Sequence, residues 1–284
     1  MKSEDLAAGI ARLAHTFRVI EEPRLTARAG FWAGDDEVRL AVMQRALDHP
    51  QVAAVLAARG GYGTTRILDR IAWEGVLRAP RWLVGSSDLT ALLMYLWARF
   101  RLLTIHGPMV ARFPGGDGED FDTLMALLQG GDWQPPPGLR GVVSGTGTGP
   151  LIGGNLCLLA HLAGTVSPDA FDGAILFLEE VSEAPYRVDR MLTQLARAGF
   201  LRALRGVVLG QFTHCAPQED GVTARDVLLS NFRPYGIPVV ENYPAAHGGR
   251  NYPFVHGGRV ALCVDEALRV QWRATPLGPT DADY

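Results

Sequence analysis

The sequence predicts an α/β protein in two parts. Residues 1–130 form an N-terminal α/β domain with a largely parallel sheet, and residues 149–284 a smaller, strand-rich C-terminal domain. Three observations predict this. Short continuous apolar runs, "VAAVLAA" (52–58) and "RWLV" (81–84), alternate with helical stretches, the pattern of buried parallel strands joined by helices. A seam rich in Gly, Pro and Asp spans 113–150, broken by the helical patch "FDTLMALLQ", and places a linker at 131–148. Beyond the seam, strand-like runs outnumber helices.

The N-terminal elements follow in order. "DEVRLAVMQRALD" reads as a helix ahead of the first strand, which ends in the glycine cluster "RGGYG" (59–63). "TTRILDRI" reads as a second helix leading to "RWLV". After the turn Gly85-Ser86-Ser87-Asp88, Leu89, Leu92, Leu93, Leu96 and Trp97 recur at helical spacing and predict an amphipathic helix.

In the C-terminal part, "GGNLCLLAHLAGT" predicts a helix closed by Gly164. "GAILFLEE" (173–180) is a strand whose apolar run stops at two glutamates. "VDRMLTQLARAG" puts Val188, Met191, Leu192 and Leu195 on one helical face, with Gly199 past its end. "GVVLGQF", "GIPVVENYP" and "GGRVALCV" read as further strands.

Composition narrows the function classes. With 48% apolar and 20% charged residues in 284, the chain is globular rather than disordered. A net charge of −3 without a basic run argues against a nucleic-acid partner. Of 27 basic residues only Lys2 is a lysine. No apolar stretch approaches the roughly 18 residues of a membrane helix, and the first residues, with Glu4 and Asp5, do not read as a signal peptide. Cys157, Cys215 and Cys263 are far apart and form no C-x-x-C pair, which fits a reduced, cytoplasmic compartment and predicts neither a disulfide framework nor a metal site. No cofactor is expected.

The chemistry centres on the turn at 85–89. A strand running directly into a helix aims the intervening side chain outward, beside helix N–H groups that can stabilise an oxyanion. The G-x-S-x-G elbow of hydrolases works this way, but here Leu89 replaces the closing glycine. Ser86, Ser87 and Asp88 are also good N-cap residues, and the window alone favours a cap.

A nucleophile needs a base, and the base an orienting acid. Of seven histidines, His15 and His161 fall in helices, His49 precedes a proline, and His106 and His214 follow strands. His247 and His256 bracket "HGGRNYPFVH", and His247 follows "IPVV" through a short loop. Glu179 and Glu180 end a strand, where a carboxylate can orient an imidazole or simply be solvated. The cluster "RGGYG" lacks the following Lys-Ser/Thr of a phosphate loop, and Arg66 breaks a dinucleotide fingerprint.

Together, "AARGGYGTTRIL", "LVGSSDLTALL", "IHGPM", "LIGGNLCLLAHLAGT", "AILFLEEVSEAPYRVDRMLTQL", "GVVLGQF" and "PAAHGGRNYP" resemble the LD-carboxypeptidase family of serine peptidases, which includes the microcin-immunity peptidases. The order is kept from about residue 35 to residue 262. The resemblance implies a flavodoxin-like N-terminal domain, an active site between the domains, and a homodimer. It implies Ser87 as nucleophile, His247 as base and Glu179 as the orienting acid, with Glu180 and Glu183 as neighbouring alternatives. The implied oxyanion donors are the N–H groups of Asp88 and Gly61. Arg59 and Tyr62 are candidate substrate contacts, Arg59 for a substrate carboxylate.

The implied substrate is a muropeptide in cell-wall recycling, from which a terminal D-alanine is released. Two alternatives stand beside it: an amidase acting on a peptidyl-nucleotide antibiotic, and a non-catalytic homologue. The second is motivated by the family's opening strand ending in Ala-Pro-Ser, which does not occur here; either the start is misplaced or the sheet lacks an edge element. Ala246 stands where the family usually has glycine, and Ser86 where an aromatic is common.

Overall fold

The computed structural model describes residues 2–219, 221–245, 247 and 249–275; Ala246 lies outside them. The N-terminal part runs α1 (Ser3–Ala14), α2 (Asp36–Asp48), β1 (Ala54–Leu56), α3 (Glu74–Arg78), β2 (Trp82–Gly85), α4 (Thr90–Phe100), β3 (Thr104–His106) and α5 (Gly118–Leu128). The C-terminal part continues with β4 (Arg140–Val143), β5 (Gly145–Asn155), α6 (Leu156–His161), β6 (Ile175–Val181), α7 (Pro185–Arg197), β7 (Gly206–Thr213), α8 (Ala224–Phe232), β8 (Val239–Glu241), β9 (Phe254–His256), β10 (Arg259–Val264) and β11 (Val270–Ala274).

Among the described residues there are two sheets. The first has the order β1-β2-β3-β9, its first three strands parallel and β9 antiparallel to β3. The second has the order β11-β10-β5-β6-β7-β8-β4, with a parallel centre from β5 to β8 and antiparallel strands at both edges. The α/β class and strand-rich second half are as the sequence predicts. β6 is buried from Ile175 to Glu180, as a strand covered on both faces should be.

Three local expectations differ from the structure. The stretch expected as a linker contains β4 and the start of β5, paired with β8 and β10. Its glycines are required by close packing: a Cβ on Gly147 would lie 1.8 Å from the Arg205 carbonyl oxygen, and one on Gly149 1.9 Å from that of Gly173. "TTRILDRI" forms two 3₁₀ turns, Thr64–Arg66 and Leu68–Arg70, instead of a helix. Its first residue is captured by Asp88, which accepts from Thr64 N at 2.9 Å and from Thr64 Oγ1 at 2.6 Å. Finally, α4 is buried all round from Thr90 to Trp97 rather than amphipathic.

That burial follows from its place. α4 packs on β2 and β3 of the first sheet, on β5 of the second, and on α6. Trp97 Nε1 donates to the Ala170 carbonyl at 2.9 Å, tying the helix to the C-terminal part.

Candidate active site

The turn between β2 and α4 holds Ser87 in the left-handed region, at φ +59°, a conformation costing a non-glycine residue about 1–3 kcal/mol. A 3₁₀ turn over Ser87–Leu89 leads into α4, so the Asp88 N–H sits where helix donors have no partner within the helix. Ser86 makes no capping bond; its Oγ accepts from Asn251 Nδ2 at 3.0 Å. The buried Asp88 carboxylate, held by Thr64, ties this turn to the glycine cluster.

The cluster lies against the serine. A Cβ on Gly60 would come within 3.0 Å of Ser87 Cβ and 3.2 Å of Ser87 Oγ, so a larger residue there would displace the serine. Gly61 follows with φ +155°, and Arg39 Nη1 donates to the Gly63 carbonyl at 2.6 Å, fixing the far end of the loop. Arg59 is exposed and outside the residues lining the pocket at Ser87. Tyr62 is also exposed; its ring meets Phe31 at 5.8 Å, and it lines a separate cleft with Arg66 and His161.

The second sheet brings the acid. Between Leu178 and Glu180 the pairing of β6 with β7 shifts register, an irregularity at a strand tip that redirects side chains. Glu179 turns to the histidine loop. Glu180 accepts from Asn155 Nδ2, Cys157 N and Val181 N, each at 2.8 Å. Burial raises the pKa of Glu180, and its oxygens are occupied in holding the start of α6. Glu183 lies 3.5 Å from Arg187.

His247 lies between β8 and β9 and joins the two halves of the site. Its Nδ1 is 2.9 Å from Glu179 Oε2 and its Nε2 is 2.8 Å from Ser87 Oγ. An ionised carboxylate only accepts, so Nδ1 carries the proton and Nε2 is left to accept the Ser87 hydroxyl. Burial favours neutral His247, but the hydrogen bond and charge of Glu179, aided by Glu180 and opposed by Arg112, raise its pKa above 6.5. Of the sequence candidates, Ser87, His247 and Glu179 are thus joined in one hydrogen-bonded run, with Asp88 beside them.

Several contributors escaped the sequence reading. Asp120 on α5 accepts from Arg250 Nε at 2.8 Å and from Asn251 N at 2.6 Å, anchoring the loop that carries His247. Burial raises the Asp120 pKa against the opposing pull of Arg250. Asp120 is the last residue of "GGDGED" in the seam, whose composition signals only a turn. Arg112 donates from Nη2 to the His247 carbonyl at 3.1 Å. His106 ends β3, lines the same pocket, and stacks on Phe254 with ring centroids 4.9 Å apart. Burial drives its pKa down to about 3, Asn251 opposing and the His247 charge adding to the fall. Among the described residues no cluster of His, Cys, Asp and Glu could hold a metal ion, and no helix is long and apolar enough to cross a membrane.

Comparison with known proteins gives one family. The model of the LD-carboxypeptidase N-terminal domain matches residues 1–107, and that of the LD-carboxypeptidase C-terminal domain matches residues 148–262. A murein tetrapeptide carboxypeptidase of Pseudomonas aeruginosa is 34% identical over 258 residues, covering 87% of this chain and 83% of the relative. The crystal structure of a muramoyltetrapeptide carboxypeptidase from Oxalobacter formigenes superposes with a TM-score of 0.80 at 30% identity, covering 96% of this chain and 95% of the other. The microcin C7 self immunity protein shares the fold, with a TM-score of 0.79 at 18% identity over 95% of this chain and 90% of that one.

Proposed function

Since this chain belongs to the LD-carboxypeptidase family, we propose that it is a serine carboxypeptidase that hydrolyses the L,D-peptide bond of murein tetrapeptides and releases terminal D-alanine. The observation that carries this reading is the run Ser87 Oγ–His247 Nε2 and His247 Nδ1–Glu179 Oε2, at 2.8 and 2.9 Å. Ser87 Oγ attacks the scissile carbonyl while His247 Nε2 takes its proton. Glu179 fixes the tautomer and stabilises the imidazolium. The N–H of Asp88, with that of Gly61, faces the oxyanion. Collapse of the tetrahedral intermediate breaks the C–N bond; His247 returns the proton to the leaving amine, leaving an acyl-Ser87 ester. A water, deprotonated by His247, hydrolyses the ester and regenerates the hydroxyl. No step calls on a metal or cofactor. We further propose that the protein works in the cytoplasm as a homodimer, as its family resemblance implies.

An amidase acting on a peptidyl-nucleotide is the second reading. One observation favours it: Phe31 and Tyr62, both exposed, form an aromatic surface beside the glycine cluster on which a base could stack. Purified protein given murein tetrapeptide is expected to release D-alanine, and Ser87→Ala to lower that rate by at least about 10³-fold. Wild-type release no faster than the variant's would sink the catalytic assignment. Cleavage of a peptidyl-nucleotide with no D-alanine release would select the second reading.

A further inference from the structure

The pocket at Ser87 extends past His247 to a wall formed by Pro108, Met109 and Phe113, with Arg112 on the same segment and His106 at its floor. Two features there are unused by the hydrolytic steps. Arg112 is exposed, its Nη2 donates to the His247 carbonyl at 3.1 Å, and it pairs with no carboxylate among the described residues. The pocket's acids are engaged: Asp117 and Asp120 face Arg250 at 3.4 and 2.8 Å, and Glu179 holds His247. Arg250 also meets Glu119 at 3.0 Å, so three carboxylates share one guanidinium and that side of the pocket is acidic. An incoming anion is therefore favoured at Arg112 and disfavoured beside Arg250. The second feature is His106, 1% exposed and lining the pocket, with the Asn251 side chain as its polar neighbour. A neutral imidazole keeps one N–H to donate, and a ligand group in the pocket can accept it.

The side of the nucleophile on which these groups lie assigns them. His247 Nε2 must hand its proton to the leaving amine, so the departing residue occupies the His247 side of Ser87. We propose that this pocket receives the C-terminal residue of the substrate and that Arg112 binds its α-carboxylate, with the His106 imidazole as a second donor facing the same space. The apolar wall at Pro108, Met109 and Phe113 suits a small aliphatic side chain. This inference rests on the hydrolytic reading above and adds to it the group that makes the enzyme an exopeptidase. It also moves the carboxylate contact from Arg59, which is outside this pocket, to Arg112.

The test compares murein tetrapeptide with the same peptide ending in a carboxamide. On the Ser87→Ala protein, calorimetry is expected to find the acid bound about 30-fold more tightly than the amide, the size of a lost charged hydrogen bond. In Ser87→Ala/Arg112→Gln that gap is expected to close, and Arg112→Lys to restore part of it. In turnover, Arg112→Gln lowers the acid-to-amide ratio of kcat/KM by a similar factor. A gap that persists in the double variant, equal binding of acid and amide to Ser87→Ala, or a turnover ratio unchanged by Arg112→Gln would each overturn the assignment. Binding requires no catalysis, so failure of the hydrolytic reading leaves the Arg112 result readable.

Discussion

At His247 a single imidazole is pulled two ways. Its burial disfavours charge, and the nearby carboxylates of Glu179 and Glu180 favour it, with the second effect ahead. Transfer from Ser87 needs the neutral imidazole, so kcat/KM should rise with pH through a midpoint above 6.5. Replacing Glu179 by Gln removes the hydrogen bond and the charge that hold the pKa up. The midpoint in Glu179→Gln should therefore move to lower pH, while the plateau falls by up to about 10⁴-fold. A pH–rate profile of the two proteins checks both; an unmoved midpoint would show that Glu179 does not charge the histidine. Their positions at or just past strand ends made these three residues candidates in the sequence, and the family resemblance, not the local pattern, gave them their roles. The sequence could not separate Glu179 from Glu180. Both end the same apolar run, and the choice between them depends on the register shift against β7 and on Asn155 claiming Glu180, neither of which leaves a mark in composition.

Among elements, the glycine cluster and the turn before α4 behave as one unit because Thr64 and Asp88 join them. In Thr64→Val the hydroxyl bond is lost and a buried carboxylate oxygen keeps only its backbone donor. Stability is expected to drop by about 1–3 kcal/mol, and kcat to fall more than KM rises, because the Asp88 N–H shifts against the serine. Thermal midpoints and D-alanine release measure the two effects; a stability loss with unchanged kcat would show that the Thr64–Asp88 tie has no bearing on the site. This tie also explains a failed expectation. The "TTRILDRI" segment has helical composition, but its first residue bonds to a carboxylate 24 positions ahead, which local periodicity cannot register. Likewise, the "GTGTG" of β5 looks like linker until the neighbouring backbone that excludes a Cβ is known. The apolar face of α4 was visible, but its burial on all sides depends on the second sheet, which lies far along the chain.

For the molecule as a whole, two fully buried histidines govern the response to acid. Burial lowers His106 and His256 to a pKa of about 3, with the nearby His106 adding to the effect on His256. Unfolded, each would titrate near 6.5. Between those values the unfolded chain binds more protons, so stability falls as pH drops below 6.5, by up to about 1.4 kcal/mol per pH unit for each histidine. Urea unfolding at pH 7.0, 6.0 and 5.0 should show this decline; a flat midpoint would contradict burial of the two neutral rings. His256 also marks how the two sheets depend on each other. It ends β9, the strand that returns from the C-terminal part to complete the sheet on which Ser87 is mounted. A ribosome making this protein therefore releases the serine, the glycine cluster and α4 long before the edge that closes their sheet. His247 precedes that strand by only a few residues. The base and the structural closure thus emerge together, and a half-made chain carries a serine with nothing yet to deprotonate it.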